Sequence, residues 1–265
     1  MINVCFAGVT GWTAPPILSA IEEAADLALV CGVSRSAAGQ QLAAVTGVGS
    51  GTVHGTVAAA LATDEVDVLV DFTSAEAVRD NVWSAVRAGV HTVIGASGLT
   101  VEDYAELDTL AREHGVGVVA AGNFSVMAAV LRRAAAMAAE HVGSWEIIDY
   151  AKTAKQDVPS GTARELAETL GQVHRPEAGT PVDQLRGPTE ARGTEVAGTR
   201  VHSVRLPSFV VSTEVVFAGP GERVVMRHDP GLSPDPYVAG SLLAIRRVAE
   251  EHGVRRGLDS LLFAQ

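Results

Sequence analysis

A doubly wound parallel α/β sheet followed by a second, mixed α+β domain is the fold class that the sequence predicts. Two observations predict it. Short Val-rich apolar runs alternate with amphipathic segments through residues 1–123, and beyond Asn123 this alternation gives way to a long helix and closely spaced strand-like runs. Alternating strands and helices build a parallel sheet covered on both faces, and strands buried on both faces read as nearly continuous apolar runs. The 265 residues are 47% apolar and 19% charged, which excludes disorder or a fibre and supplies one large core or two modest ones without staples.

In order, Asn3–Gly8 reads as a strand, Pro15–Ala25 as a helix, Leu27–Ser34 as a strand and Ala37–Val45 as an amphipathic helix. Val66–Thr73, Thr92–Ala96 and Val116–Ala121 follow as strands, with Ala75–Ala88 and Val101–His114 as helices between them. The second region opens with an Ala-rich helix, Val126–His141, then a strand ending near Lys152, a helix from Ala163 and a Gly/Pro/charged stretch over 173–198. Three strands, Thr199–Leu206, Phe209–Ala218 and Glu222–His228, are parted by Pro207-Ser208 and Gly219-Pro220-Gly221, which predicts an antiparallel meander. A final helix, Tyr237–His252, is expected to return to the first domain.

Charge and composition exclude several functions. Twenty Lys and Arg against 31 Asp and Glu give a formal charge of −11, which repels a phosphate backbone and argues against nucleic acid as the main partner. No apolar run approaches the ~18 residues of a membrane span, and Met1–Phe6 enters a strand with no basic leader, so a cytoplasmic protein is expected. Cys5 and Cys31 lie in separate strands and read as core residues, with no Cys-built metal site.

Gly8-Val9-Thr10-Gly11-Trp12-Thr13-Ala14 joins the first strand to the first helix, where a dinucleotide pyrophosphate meets helix N-terminal amides. Gly8, Thr10, Gly11, Trp12 and Thr13 are therefore candidate cofactor residues, although such turns also simply end strands, and Pro15 and Pro16 remove two amide donors. About 20 residues beyond that turn an NAD site carries an acid. Here the run is Val33-Ser34-Arg35-Ser36. A guanidinium flanked by hydroxyls suits a 2′-phosphate, which favours NADPH over NADH; the competing reading makes Arg35 a solvated loop charge and Ser36 a helix cap. A dinucleotide-binding domain over 1–123, completed by a C-terminal helix within 237–265, then encloses a substrate-binding and oligomerisation domain over 124–236.

Asp157-Val158-Pro159-Ser160-Gly161-Thr162-Ala163 precedes a helix, so the amides around Ser160, Gly161 and Thr162 can receive a carboxylate. Thr162-Ala163-Arg164-Glu165 also has capping-box spacing, which would make Thr162 a cap and nothing more. Lys155 and Lys152 lie just upstream and add cations to this anion site.

These motifs, together with Val70-Asp71-Phe72-Thr73, Ile94-Gly95-Ala96-Ser97-Gly98, Asn123-Phe124-Ser125, Val201-His202-Ser203-Val204-Arg205-Leu206 and Arg227-His228-Asp229, resemble the 4-hydroxy-tetrahydrodipicolinate (dihydrodipicolinate) reductase family. Those are NAD(P)H-dependent reductases of the lysine/diaminopimelate pathway, and the resemblance spans nearly the whole chain. It implies an N-terminal Rossmann domain, a C-terminal domain whose sheet builds a homotetramer, and closure of the two over substrate. It also implies that Phe72, Thr73, Gly95, Ser97 and Gly98 line the nicotinamide-ribose side, that Asn123 and Phe124 belong with the cofactor residues, and that Gly161-Thr162 grip a substrate carboxylate. The family motif Glu-x-His-His-x-His-Lys-x-Asp-x-Pro-Ser-Gly-Thr is altered here: Ala151, Lys152 and Ala154 stand at the three histidines, and Ala151 replaces the proposed general acid. Met127 and Ser212-Thr213 are further departures.

Three functions follow. The first is an NADPH-dependent reductase acting on a C=N or conjugated C=C bond of a small, carboxylated, cyclic imine or enamine, with Lys155 or Lys152 as acid or electrostatic aid and Tyr150 as a weaker candidate. Ala151 and Ala154 are expected to leave apolar space that favours a monocarboxylate. The second is the family's ordinary reaction with lysine replacing the His acid. The third is a non-catalytic NADP(H)-binding protein. His228 matches a family position outside the altered motif and is read as structural.

Overall fold

The computed structural model describes residues 1–177 and 179–263. In chain order the elements are β1 (Ile2–Ala7), α1 (Ala14–Glu23), β2 (Leu27–Val33), α2 (Leu42–Thr46), β3 (Val53–His54), α3 (Val57–Leu61), β4 (Val68–Asp71), α4 (Val78–Arg87), β5 (His91–Ile94), α5 (Val101–Glu113) and β6 (Gly117–Ala120). There follow α6 (Val126–Ala139), β7 (Ser144–Ala151), α7 (Gly161–Val173), β8 (Thr194–Val196), β9 (Thr199–Arg205), β10 (Val211–Gly219), β11 (Glu222–His228), α8 (Val238–Arg247), β12 (Gly253–Arg256) and α9 (Asp259–Leu262). The chain divides into one unit made of Met1–Val126 with the segment from Pro234 onward, and a second of Met127–Ser233.

In the first unit seven strands lie in the order β12-β6-β5-β4-β1-β2-β3, with every pairing parallel. Val4, Phe6, Leu69, Val93, Val118 and Val119 are essentially fully buried, as strands covered on both faces require. Two expectations fail here. The helix expected over Ala37–Val45 is interrupted, because Gly39 adopts φ +83° and Gln41 is extended, which leaves a 3₁₀ turn at Arg35–Ala37 and the short α2. The expected C-terminal helix stops at Arg247; Gly253, at φ +97°, starts β12, which pairs with β6 at the sheet edge. Gly253–Arg256 lies beyond the expected helix and forms a strand with no counterpart among the expected elements.

The second unit is a five-stranded sheet, β11-β10-β7-β9-β8, with α6 and α7 packed through Ala135, Ala139, Ala163, Leu166, Ala167 and Leu170 onto Trp145, Ile147, Val201, Val215 and Phe217. Of the expected meander the second half forms, β10 and β11 pairing antiparallel, whereas β9 and β10 are not neighbours. α7 is a crossover helix, which makes β7 and β9 parallel neighbours, and the turn after β9 carries the chain past β7 so that β10 pairs antiparallel on its other side. Among the described residues no helix is long and apolar enough to cross a membrane.

Candidate functional site

In the first unit the connections from β1 lead to β2 on one side and β4 lies on the other, so the Gly-rich turn sits at a topological switch point beside the C-terminal strand ends. Gly8 has φ +95°, and a Cβ there would stand 2.7 Å from the Phe72 carbonyl oxygen; at Gly11 it would stand 3.0 Å from the Gly8 oxygen. Gly8 demands glycine, and Gly11 is tightly packed. The Gly11 amide bonds the Gly8 oxygen at 2.8 Å and the Ala14 amide bonds Gly11 at 3.2 Å, which folds the turn tightly onto α1. Thr13 makes no side-chain cap bond. Trp12 is half exposed and meets Tyr237 edge-on at 6.3 Å, and burial pushes the Tyr237 hydroxyl up to about 12.

Thr10 Oγ1 lies 3.1 Å from Ser34 Oγ, which in turn lies 3.1 Å from Ser36 Oγ. This hydroxyl chain links the turn to the tip of β2, where Arg35 is exposed. Ser36 does not cap α2, whose N-cap is Gln41. Glu76 was missed in the sequence. A hydrogen bond from Ser74 and, more weakly, the charge of Arg35 hold its carboxyl below the usual range, which places an acid within electrostatic reach of Arg35. Its only signal was a Ser-x-Glu spacing just past a strand tip.

Other candidates are engaged inside the unit. The Phe72 ring stacks on Phe6 at 5.8 Å and meets Phe124 at 5.4 Å, and a Cβ on Gly95 would stand 2.2 Å from it. Phe72 and Phe124 thus pack together, with the Phe72 backbone facing Gly8. Asp71 is fully buried and accepts hydrogen bonds from the Thr73 amide at 2.9 Å, Thr73 Oγ1 at 2.6 Å and Asn81 Nδ2 at 2.8 Å. Burial pushes the Asp71 carboxyl up, against those three donors. Gly98, at φ +130°, lets the chain pass Ala75, while the neighbouring Ser97 is exposed. Asn123 is buried and accepts the Ser125 amide at 2.8 Å.

In the second unit the alternation of β7 sorts its residues onto two faces. Asp149 and Ala151 point inward and are fully buried. Tyr150 points to the opposite face, tilted against Phe209 at 5.0 Å and under the Arg227 guanidinium at 4.7 Å. It is therefore not brought together with Ser160–Thr162. Ala151 is fully buried and so leaves no open space, contrary to expectation; its carbonyl oxygen accepts the Leu206 amide at 3.0 Å. Ala154 is exposed.

α7 is capped by Ser160, whose Oγ accepts the Ala163 amide at 3.3 Å. Thr162 lies inside the helix, so the expected Thr162 cap is corrected: the extended backbone of Ser160 marks the boundary two residues earlier. Ser160→Ala is expected to cost about 1 kcal/mol of stability, and Thr162→Ala less; thermal melts of the two variants check the assignment. The Ser160 amide donates to Asp149 Oδ2 at 2.9 Å, and the Val158–Pro159 bond before it is cis. Lys155 Nζ lies 2.8 Å from Asp157 Oδ1, both side chains being about three-quarters covered. Lys152 is exposed on the preceding turn. Lys155, Ser160, Gly161 and Thr162 thus share one loop and helix start, with the Lys155–Asp157 ion pair just ahead of the α7 N-terminus.

On the inner face Ser203, Asp149, Thr213 and His228 occupy one row across four strands. Burial pulls the His228 imidazole below its usual range, against the nearby Asp229 charge.

The chain matches two family models that meet end to end: dihydrodipicolinate reductase, N-terminus, over residues 2–124, and its C-terminus over 124–262. It is 35% identical over 98% of its length to 97% of a 4-hydroxy-tetrahydrodipicolinate reductase of Thermosynechococcus vestitus. A protein of the same name from Moorella thermoacetica is 36% identical, with 98% of each chain covered. A solved structure, dipicolinate-bound dihydrodipicolinate reductase from Paenisporosarcina sp. TG-14, aligns with TM-score 0.75 at 26% identity over 98% of this chain and 99% of that one. With both halves matched and relatives above 30% identity along nearly the full length, the chain belongs to the dihydrodipicolinate reductase family.

Proposed function

We propose that this chain is an NADPH-dependent reductase that transfers hydride to a C=N or conjugated C=C bond of a small, carboxylated, cyclic imine or enamine other than the family's usual substrate. The observation that carries the reading is the loop Lys155–Thr162. Its cation and helix cap are assembled, while Ala151, Lys152 and Ala154 replace the imidazoles of the family motif. Gly161 and Thr162 hold the carboxylate at the positive end of α7, and Lys155 supplies positive charge or a proton where charge develops. Ala151 is fully buried and opens no space beside this loop.

The residues of the first unit fit a dinucleotide. Gly8 is required where backbone segments approach one another, and the Thr10-Ser34-Ser36 hydroxyls flank Arg35. Bound there, a nicotinamide cofactor supplies the hydride. Arg35 and the hydroxyls favour a 2′-phosphate, whereas Glu76 opposes it. Glu76→Ala is therefore expected to tighten NADPH and not NADH, as read by fluorescence titration of both cofactors.

A second reading keeps the family's ordinary reaction; it is favoured by the names of the relatives and by the dipicolinate bound to the structural neighbour. A homo-oligomer, a tetramer by resemblance, fits the sheet face opposite α6 and α7, where Ile148, Val216 and Val225 run between two ion clusters, Glu146–Arg192–His202 and Glu214–Arg227–Asp229. A cytoplasmic setting fits the two free cysteines. Substrate-dependent NADPH oxidation by the purified protein, assayed over cyclic imines bearing one or two carboxylates, tests the proposal. Turnover of a monocarboxylate supports it, and NADPH binding without turnover of any imine overturns it in favour of a non-catalytic binding protein.

A further inference from the structure

We propose that the buried Asp149–Arg205 pair is a positioning device that fixes both ends of segment 157–160 and so sets Lys155 relative to the Gly161-Thr162 amides. This role rests on the reading of those amides as a carboxylate site. Asp149, on β7, is fully buried, and Arg205 extends from the adjacent strand β9. Arg205 Nη2 donates to Asp149 Oδ2 at 2.8 Å and to the Asp157 carbonyl oxygen at 2.9 Å. Its Nη1 donates to the carbonyl oxygens of Asp149 at 3.2 Å and Val204 at 3.1 Å. The same Asp149 Oδ2 accepts the Ser160 amide at 2.9 Å and the Ser203 hydroxyl at 3.1 Å. One ion pair therefore holds the carbonyl at the start of the segment and the amide at its end.

From these anchors the connections run outward to both halves of the site. The Asp157 side chain holds Lys155 Nζ at 2.8 Å, and Ser160 caps the helix whose next two residues are Gly161 and Thr162. Stability alone is a weak reason for such a pair, because well-packed apolar residues commonly replace buried ion pairs at no loss. An apolar pair would leave the Asp157 carbonyl and the Ser160 amide without these partners. Arg205 Nη2 alone joins Asp149 and Asp157, and the rigid guanidinium fork orients that nitrogen by tying Nη1 to two further carbonyls.

The test uses the full chain with Arg205→Lys and Asp149→Asn, and with NADPH, picolinate and dipicolinate as probes. The carboxylates are titrated by calorimetry at saturating NADPH. Both variants are expected to bind the preferred carboxylate roughly ten- to a hundredfold more weakly, the span of a lost hydrogen bond to a charged group, with NADPH affinity unchanged. Hydrogen exchange should rise over 155–163 and stay as in the wild type over β10. If either variant does not fold, Ser203→Ala, which removes one donor from the same Asp149 oxygen, carries the test with a smaller loss of carboxylate affinity. Wild-type protein that binds neither carboxylate overturns the carboxylate reading and this role with it. Wild-type binding that persists unchanged in the variants, whatever their melting temperatures, overturns the positioning role alone.

Discussion

Lys155→Met is expected to lower turnover by about 10²–10⁴-fold, the span of a lost general acid or preorganised charge, with NADPH affinity as in the wild type. The three candidates for this work do not stand equally in the structure. Tyr150 faces the other side of the sheet, pinned by Phe209 and Arg227, and Lys152 is exposed on its turn. Lys155 is held at 2.8 Å by Asp157, whose backbone is tied to Arg205. A held ammonium needs no reorganisation when charge appears, and that is the property from which electrostatic catalysis draws its strength. Methionine keeps the apolar stem and removes the charge. The candidate cofactor residues belong to the other unit of the chain, so single-turnover rates should fall while cofactor titrations coincide. An unimpaired variant would remove Lys155 from the chemistry and direct the search to Lys152.

Arg35→Ala is expected to weaken NADPH by about ten- to a hundredfold and to leave NADH nearly unaffected, as befits one charge-assisted phosphate contact. The hydroxyl chain Thr10-Ser34-Ser36 remains in the variant. Glu76 pushes the loss toward the upper end, since removal of Arg35 leaves that carboxylate uncompensated beside the 2′-phosphate. Parallel titrations with the two cofactors check this, and equal losses would restrict Arg35 to a solvated loop charge.

The fold class and the family were legible in the sequence because parallel strands buried on both faces leave apolar runs of strand length, and because glycines such as Gly8 are demanded by backbone contact. What stayed hidden is physical in origin. β12 is an edge strand bearing two arginines, and a charged edge is how proteins blunt unpaired strands, so its pattern resembles a solvated helix end. The order of the second sheet was hidden because turn residues between β9 and β10 signal a reversal but not which side of β7 the chain returns to. The Ser160 cap was hidden by a competing Thr162 at capping-box spacing, and the two positions are separated only by backbone geometry. Asp149 and Arg205 lie 56 residues apart in the chain, a pairing that becomes visible only once the crossover through α7 makes β7 and β9 neighbours.

The central claim is that the altered loop serves a different substrate. It is tested most directly by the ratio of two kcat/KM values measured on the wild type with NADPH, one for 4-hydroxy-tetrahydrodipicolinate and one for a six-membered cyclic imine bearing a single carboxylate. The account predicts a ratio well below one, about 10²-fold in favour of the monocarboxylate if the site's polar groups leave the second carboxylate unpaired. A ratio above one, with rates on the dicarboxylate matching those of histidine-bearing relatives assayed alongside, would contradict it and establish the family's ordinary reaction with lysine in the place of imidazole.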